Sequence, residues 1–160
     1  MAAKTEYEQA LASWQGAISQ AKGAKGEDIA DLVLRSKGVR MVEKIATPVR
    51  IIARKRMHGS DWFRLAWGEK VSGDRMGVLD GGRRVLVEVK TRDRNLRWKD
   101  LEDHQVLALT ENAALGGLSL VVFVHPGGIA VLEWPIDGFG PGKGLTITRA
   151  LELDWPGVAQ

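Results

Sequence analysis

The feature that most constrains the fold of this chain is an uninterrupted apolar run at 118–124, with the sequence LSLVVFV. A strand of this composition has no polar face to turn to water, so both of its faces have to be buried. Helical and strand-like segments alternate along the rest of the chain, and helices can cover such a strand. The sequence therefore predicts an α/β fold in which helices flank a central mixed β-sheet.

Length and composition are those of one ordinary domain. The chain has 160 residues, of which 44% are hydrophobic and 27% charged, enough to bury one core. It contains no cysteine, which excludes a disulfide scaffold and a thiolate zinc site. The sequence has neither a signal-peptide pattern nor an apolar stretch of about 18 residues, so we expect no membrane partner and a cytoplasmic location.

Apolar periodicity and glycine breaks predict the order of the elements. Residues 1–22 are expected to form a separate N-terminal helical arm, and residues 23–160 the main domain. In that domain we expect helices at about 27–36 and 100–115, the second with Asp100 as N-cap, strands at 39–45, 47–54, 118–124 and 129–134, a hairpin at 74–90, and weakly strand-like residues at 145–153.

Basic residues are concentrated in two short tracts. Residues 35–58 hold eight Lys and Arg against one acid, and residues 83–99 hold seven against two, so these tracts contain fifteen of the 23 basic residues. The net charge is only +3. A basic patch on a nearly neutral protein favours a polyanionic partner such as nucleic acid. The alternative is a solvated basic surface without a partner.

The predicted hairpin decides which of two aspartates can act together with Glu88. With a turn at 80–82, counting outward along both strands places Asp74 opposite Glu88, on the same sheet face with Cβ atoms about 5 Å apart. Asp80 would instead lie at the tip, roughly 25 Å away along the strand. A two-residue turn would shift the register and put Asp74 and Glu88 on opposite faces.

Two carboxylates on one sheet face repel each other unless a cation lies between them. Mg²⁺ or Mn²⁺ is the common solution for oxygen ligands. Lys90 follows Glu88 by two residues, so it faces the same side, where its ammonium can orient a water molecule or stabilise charge at a phosphate. Asp74 with the E-x-K residues thus indicates a metal-dependent site. The alternative for E-x-K is an exposed pair on a solvated sheet face.

These residues belong to a wider pattern that resembles the RecU-type Holliday-junction resolvases of the PD-(D/E)XK nuclease superfamily. The resemblance covers about 22–133 and consists of six segments in the same order and spacing. They are the acidic Glu27 on the first core helix, the strand TPVRII (47–52) after it, DRMGV (74–78), VEVKT (87–91), LEDHQVLAL (101–109) with its His-Gln pair, and GGLSLVVFV (116–124). The loop between Asp74 and Glu88 is one residue longer than in the family, which keeps Asp80 in question.

The resemblance implies a restriction-endonuclease-like nuclease core. It also implies a Mg²⁺-dependent, structure-selective DNA endonuclease that resolves four-way junctions in recombination by paired nicks, with Mn²⁺ able to substitute. Asp74 and Glu88 would hold the metal with the Val89 carbonyl, and Lys90 would position the nucleophile.

Two further residues are candidates for the catalytic site. Glu27 would complete it, or else is an acid that the helix dipole stabilises at a helix start. Gln105 would reach a phosphate or a metal-bound water, or else belongs to an ordinary helix turn.

The implied partner is branched DNA, bound by a homodimer. A four-way junction has approximate two-fold symmetry, so a C2 dimer can place one site on each of two strands. Such an enzyme would work in the cytoplasm, at the nucleoid or as a phage-encoded protein in its host.

Basic residues around the site are the predicted DNA contacts. They are Arg92, Arg94, Arg97 and Lys99 after the E-x-K strand, and Arg50, Arg54, Lys55 and Arg56 in the earlier tract. The resemblance also implies a protruding stalk at about 55–73 in which Trp67 presents an aromatic ring to the open junction centre. The alternative for the aromatic residues at 62–67 is core packing.

Two other functions are compatible with the pattern. A nuclease with the same site could cut by sequence or at DNA ends, as restriction and repair enzymes do. A non-catalytic DNA-binding dimer with a degenerate site belongs to a different class. The intact set of Asp74, Glu88 and Lys90 favours an enzyme over that last alternative.

Overall fold

The computed structural model describes residues 24–45, 49–57, 60–67 and 73–158, and within 46–72 only the backbone of two paired strands. The predicted helical arm at 1–22 lies outside the described residues. Within the described part of the chain, no helix is long and apolar enough to cross a membrane.

Five strands form the main sheet. The described elements in chain order are α1 (Ala24–Ser36), β1 (Arg40–Lys44), β2 (Val49–Met57), β3 (Ser60–Trp67), β4 (Arg75–Val78), β5 (Arg84–Thr91), β6 (Leu96–Arg97), a 3-10 turn (Trp98–Asp100), α2 (Asp103–Ala114), β7 (Leu118–His125), β8 (Gly128–Glu133), β9 (Gly144–Leu145) and α3 (Ile147–Glu152). The main sheet has the order β1-β4-β5-β7-β8. Its β5–β7 pair is parallel and its other pairs are antiparallel, so the predicted mixed sheet is confirmed.

The main sheet is buried on both faces, as the apolar run predicts. Every residue of β7 except His125 is buried. Alternate residues of β5 face opposite sides: Val85 and Val87 belong to the core that α1 covers, and Leu86 packs with Leu109 of α2. Helix α3 lies on the same face as α2. Each fully buried Val or Leu contributes about 1.5–3 kcal/mol, so the sheet is a rigid support for the polar groups that it carries.

The predicted hairpin is confirmed, including its register. Strands β4 and β5 pair antiparallel, and the Leu79 N–H donates to the Arg83 carbonyl at 2.9 Å. Gly81 and Gly82 have φ values of 91° and 84°, which glycine adopts without steric cost. The turn therefore lies where the sequence predicts it, and Asp80 is exposed at the tip.

The predicted start of the second helix is wrong. Helix α2 begins at Asp103 with Glu102 as its N-cap. Asp100 ends the preceding 3-10 turn and pairs with Arg94 at 2.7 Å. An aspartate favours a cap only where no stronger partner competes for it, and a guanidinium is such a partner.

The C-terminal residues 145–153 were predicted to be weakly strand-like, and this is wrong as well. They contain helix α3, whose N-cap is Thr146. The Thr146 hydroxyl accepts a hydrogen bond from the Arg149 N–H at 3.1 Å. Capping and burial of Ala150 against the main sheet outweigh the strand preference of the β-branched residues.

Strands β2 and β3 form a separate two-stranded antiparallel ribbon. The ribbon is inserted in the chain between β1 and β4, which are neighbours in the main sheet. The prediction that 47–52 forms the core strand after the first helix is therefore wrong, because β1 occupies that place. Alternation predicts a strand correctly but does not specify its partner.

Candidate active site

Glu88 and Lys90 extend from β5 on the face that α2 covers. They alternate with Val87 and Val89, which pack in the core under α1, so both lie beside Leu86 on the opposite face. Lys90 Nζ is 2.7 Å from Glu88 Oε1. Glu88 is 1% exposed and Lys90 is 9% exposed. The E-x-K pair is therefore a buried ion pair and not a solvated one.

Asp74 directly precedes β4 and lies against the end of β5. Its N–H donates to the Val87 carbonyl at 2.8 Å, and its Oδ2 accepts the Val89 N–H at 2.8 Å. Gly73 before it has a φ of 89°, and a Cβ at this position would collide with β5. The backbone thus carries Asp74 to the E-x-K residues, as predicted, and leaves Asp80 at the hairpin tip.

Gln105 connects α2 to both members of the ion pair. Its Nε2 donates to the Glu88 carboxylate, and its Oε1 accepts from Lys90 Nζ at 3.0 Å. The same Oε1 accepts the Glu102 N–H at 2.9 Å, which satisfies one of the donors that a helix start leaves unpaired. His104 lies 3.5 Å from the Glu102 carboxylate instead. These three hydrogen bonds fix the Gln105 side chain at the site, so Gln105 is not a residue of an ordinary helix turn.

The buried Glu88 carboxylate is the strongest electrostatic feature of the site. Burial, and then the negative charge of the neighbouring Asp74, raise the pKa of Glu88 from 4.5 to about 7, against the opposing effect of Lys90. Glu88 Oε2 is buried and has no hydrogen-bond partner among the described residues. An unpaired buried oxygen is costly. A cation between the two carboxylates would offset the repulsion between Asp74 and Glu88, and it would give Glu88 Oε2 a partner.

The oxygen donors present fit a hard divalent cation that retains water. Within the described ranges, no group of three or more His, Cys, Asp or Glu side chains could hold a metal ion. Mg²⁺ commonly binds through one or two carboxylates and keeps several waters for exchange with substrate phosphate. Asp74 and Glu88 supply such a pair, with the Val89 carbonyl as the further predicted ligand.

Glu27 approaches the site through Arg75. Arg75 is 3% exposed and donates to Glu27 at 3.0 Å, to Asp31 at 2.7 Å and to the Asp74 carbonyl at 3.1 Å. Lys44 also donates to Glu27, at 2.9 Å. The Lys44 contact is the main cause that lowers the pKa of Glu27, and Arg75 adds to it. Among the described contacts, Glu27 is connected to Asp74 only through the Arg75 guanidinium. The catalytic role of Glu27 stays a prediction.

The first turn of α1 is packed against the end of β5. A Cβ at Gly26 would collide with the Thr91 hydroxyl, so only glycine allows this approach. Thr91 directly follows Lys90. Glu27 therefore lies at the same end of β5 as the E-x-K residues.

The loop after β5 places arginines next to the site. Arg94 donates twice to Asp100, at 2.9 and 2.7 Å, and Arg92 lies 3.4 Å from the same carboxylate. The Arg97 N–H donates to it at 2.8 Å. The Arg94 contact, followed by the others, holds the pKa of Asp100 well below its usual range. Asp100 thus orders a basic loop in which Arg97 is exposed and the other two arginines are partly exposed.

The remaining predicted DNA contacts lie on the ribbon. Arg54, Lys55 and Arg56 are in β2, and Trp67 ends β3 opposite Val49. Their side chains lie outside the described residues, so the predicted stalk and its aromatic contact stay predictions.

Sequence reasoning missed two residues that organise the site. Arg75 occupies an inward-facing position of β4 next to Asp74, and a charged residue at such a position is a signal for a buried ion pair. Asp100 was predicted as a helix cap. The run of arginines just before it was the signal for its actual role.

A solved structure has the same architecture. Hjc from Archaeoglobus fulgidus, a Holliday junction resolvase from an archaeal hyperthermophile, matches with a TM-score of 0.51 and 15% sequence identity, over 84% of this chain and 97% of that chain. The fold is restriction-endonuclease-like. At this identity the similarity concerns the fold alone.

Other comparisons add little. The structure of SSO0001 matches with a TM-score of 0.33 and 22% identity, over 82% of this chain and 69% of that chain. This similarity is too low to support a conclusion about the fold. No protein-family model and no curated protein sequence matches the chain.

Proposed function

We propose that this chain is a Mg²⁺-dependent, structure-selective DNA endonuclease of the RecU type, which resolves four-way junctions by paired nicks. The observation that carries the proposal is the buried Glu88, which Lys90 and Gln105 hold beside Asp74 while its second oxygen lacks a partner among the described residues. The substrate class is supported by a fold like that of an archaeal Holliday junction resolvase. Fold alone does not determine function, so the site carries the greater weight.

The residues of the site divide the chemistry among them. Asp74, Glu88 and the Val89 carbonyl would hold the cation, which when bound supplies a Lewis acid and lowers the pKa of a water molecule. Mn²⁺ would substitute for Mg²⁺. Lys90 has three N–H donors, and two are directed at Glu88 and Gln105. The third is available to orient the attacking water or to bind a phosphate oxygen.

Positive charge next to the site supports a phosphodiester substrate. Arg92, Arg94 and Arg97 follow the E-x-K strand directly, and the ribbon adds a second basic tract. Lysine and arginine contacts to phosphates release counterions, so binding should weaken steeply between ~50 and ~200 mM salt. Flat affinity over that range would mean that the basic residues after β5 and on the ribbon do not contact the DNA.

A homodimer is part of the proposal. A junction has approximate two-fold symmetry, so a C2 dimer can direct two equal sites at two strands of like polarity. Paired nicks then follow from geometry and need no second kind of subunit.

The test offers four-way junction, linear duplex and single-stranded DNA to the protein, with and without Mg²⁺. The proposal predicts symmetric nicks in the junction only, and only with the cation. Cleavage of duplex at fixed sequences or at ends would favour the restriction or repair type of nuclease. Tight junction binding without cleavage under any divalent cation would favour the non-catalytic DNA-binding dimer.

A further inference from the structure

A basic cavity of about 640 Å³ lies between the loop after β5 and the C-terminal loop before β9. Its volume falls in the range of small-ligand sites. Four basic side chains line it together with Trp98, namely Arg94, Arg97, Lys99 and Lys143. No acidic residue of the described chain is part of the lining.

The positive charge of this cavity is only partly neutralised. Arg94 is paired with Asp100. In the part of the chain that the structure describes, Arg97, Lys99 and Lys143 form no ion pair. All three are exposed, so they can exchange water for an anionic ligand at small cost. A cavity of this charge favours a phosphate or another multivalent anion.

The cavity is preformed, because β6 and β9 hold its two walls together. Arg97 lies opposite Gly144 in this pair, and the Trp98 N–H donates to the Lys143 carbonyl at 3.1 Å. The Trp98 ring stacks on Trp134 with centroids 5.6 Å apart. Lys143 is thereby fixed relative to the basic loop, and a ligand would not have to order the walls before it binds.

The cavity is close to the candidate active site along the chain. Arg94 follows Lys90 by four residues, so their Cα atoms are at most about 14 Å apart. The chain then returns to the site at Gln105. One strand of duplex DNA advances 3.4 Å per nucleotide, so this distance corresponds to about four nucleotides.

We infer that the cavity, whose wall at Arg94 lies within about four nucleotides of the scissile phosphate, binds one backbone phosphate of the cleaved strand, and that Lys143 makes this contact. The inference rests on the proposed function and deepens it. Lys143 belongs to the C-terminal segment, outside the 22–133 region on which the family resemblance depends, and no sequence motif pointed to it.

The first experiment measures junction binding in EDTA, so that cleavage does not enter. Lys143→Ala is compared with Arg84→Ala, which removes an exposed charge at the other end of β5, roughly 20 Å from Lys90. The proposed dimer carries two copies of Lys143, so Lys143→Ala removes two phosphate contacts. We expect it to weaken binding by up to about fivefold for each subunit and to reduce the slope of log K against log salt by ~1.8, which is ~0.9 for each contact. Lys143→Arg should restore both, and Arg84→Ala should change neither.

The second experiment locates the phosphate. Neutral methylphosphonate linkages are placed one at a time at the four positions on each side of the cut. Wild type should lose affinity at one or two of them, and Lys143→Ala should lose nothing further at the same positions, because the contact is already gone.

The outcomes separate this inference from the proposed function. A wild-type protein that fails to bind junction DNA would overturn both. If wild type binds and cleaves the junction, but Lys143→Ala and Arg84→Ala have the same junction affinity and salt dependence, this inference alone is overturned. It is also overturned if, at every methylphosphonate position, the loss of affinity adds fully to the loss caused by Lys143→Ala, because the substitution and the modification would then act on different contacts.

Discussion

Lys90 Nζ lies 2.7 Å from Glu88 Oε1, and both side chains are almost completely buried. An ammonium in this environment is held in one place and acts with little screening. Lys90→Met keeps the length of the side chain and removes its charge. We expect single-turnover junction cleavage to fall by roughly 10²–10⁴-fold with junction binding retained. Lys90→Arg should not restore the rate, since a planar guanidinium cannot replace the compact ammonium. Near-normal cleavage by Lys90→Met would show that Lys90 does not take part.

The raised pKa of Glu88 makes the metal-free protein sensitive to pH. Because Glu88 binds its proton more tightly when folded, its contribution to stability is fully present below about pH 4.5 and is lost as pH rises towards about 7. The loss amounts to about 3 kcal/mol. Urea unfolding in EDTA at pH 5 and pH 8 measures most of this loss, and Glu88→Gln should remove this part of the pH dependence. An unchanged pH dependence in Glu88→Gln would contradict the assignment.

Mg²⁺ should reverse that trend. A cation binds the ionised carboxylate, so Mg²⁺ should raise the free energy of unfolding more at pH 8 than at pH 5. Glu88→Gln should show a much smaller increase at either pH. Equal stabilisation of wild type and Glu88→Gln would place the cation elsewhere.

Arg75 is predicted to position Asp74 through its backbone. Arg75→Met removes the donors to Glu27, to Asp31 and to the Asp74 carbonyl. We expect a loss of about 1–3 kcal/mol in stability and a lower kcat with little change in KM. Arg149→Met is the matched control.

That control also removes two ion pairs, but at an exposed arginine. Its effect should stay within about 0.5 kcal/mol. Equal losses of stability in Arg75→Met and Arg149→Met, or an unchanged kcat in the former, would refute the positioning role.

The ribbon offers an internal comparison for the predicted aromatic contact with the junction. Trp67 pairs with Val49 at one end of the ribbon, and Trp62 pairs with Lys55 towards the other. Stacking on an unpaired base is worth ~1–3 kcal/mol, so Trp67→Ala should lower junction affinity roughly tenfold and barely alter duplex binding. Trp62→Ala is the control. A Trp67→Ala variant that melts early and loses both substrates equally would indicate core packing instead.

The local parts of this structure were predictable from sequence. Two glycines after Asp80 specify the turn, and the turn fixes the register that brings Asp74 to the E-x-K residues. The apolar run at 118–124 likewise predicted the doubly covered sheet. In both cases residues that are adjacent in the sequence are sufficient to specify the structure.

Features that depend on distant partners were not predictable. Alternation at 47–54 predicted a strand but not that it pairs within a ribbon. Asp100 has the sequence environment of a helix cap, and its arginine contacts became evident only from the folded loop. The missing partner of Glu88 Oε2 depends on burial by α2, which sequence spacing does not report.

The proposed function depends on Asp74 and Glu88 together holding a cation that is needed for cutting junction DNA. The decisive measurement is single-turnover cleavage of a four-way junction by wild type and Glu88→Gln, in Mg²⁺ and in EDTA, with binding measured in parallel. We expect paired nicks by wild type in Mg²⁺ alone, and no cleavage by Glu88→Gln although it binds the junction. Cleavage by Glu88→Gln at the wild-type rate, or wild-type cleavage in EDTA, would contradict it.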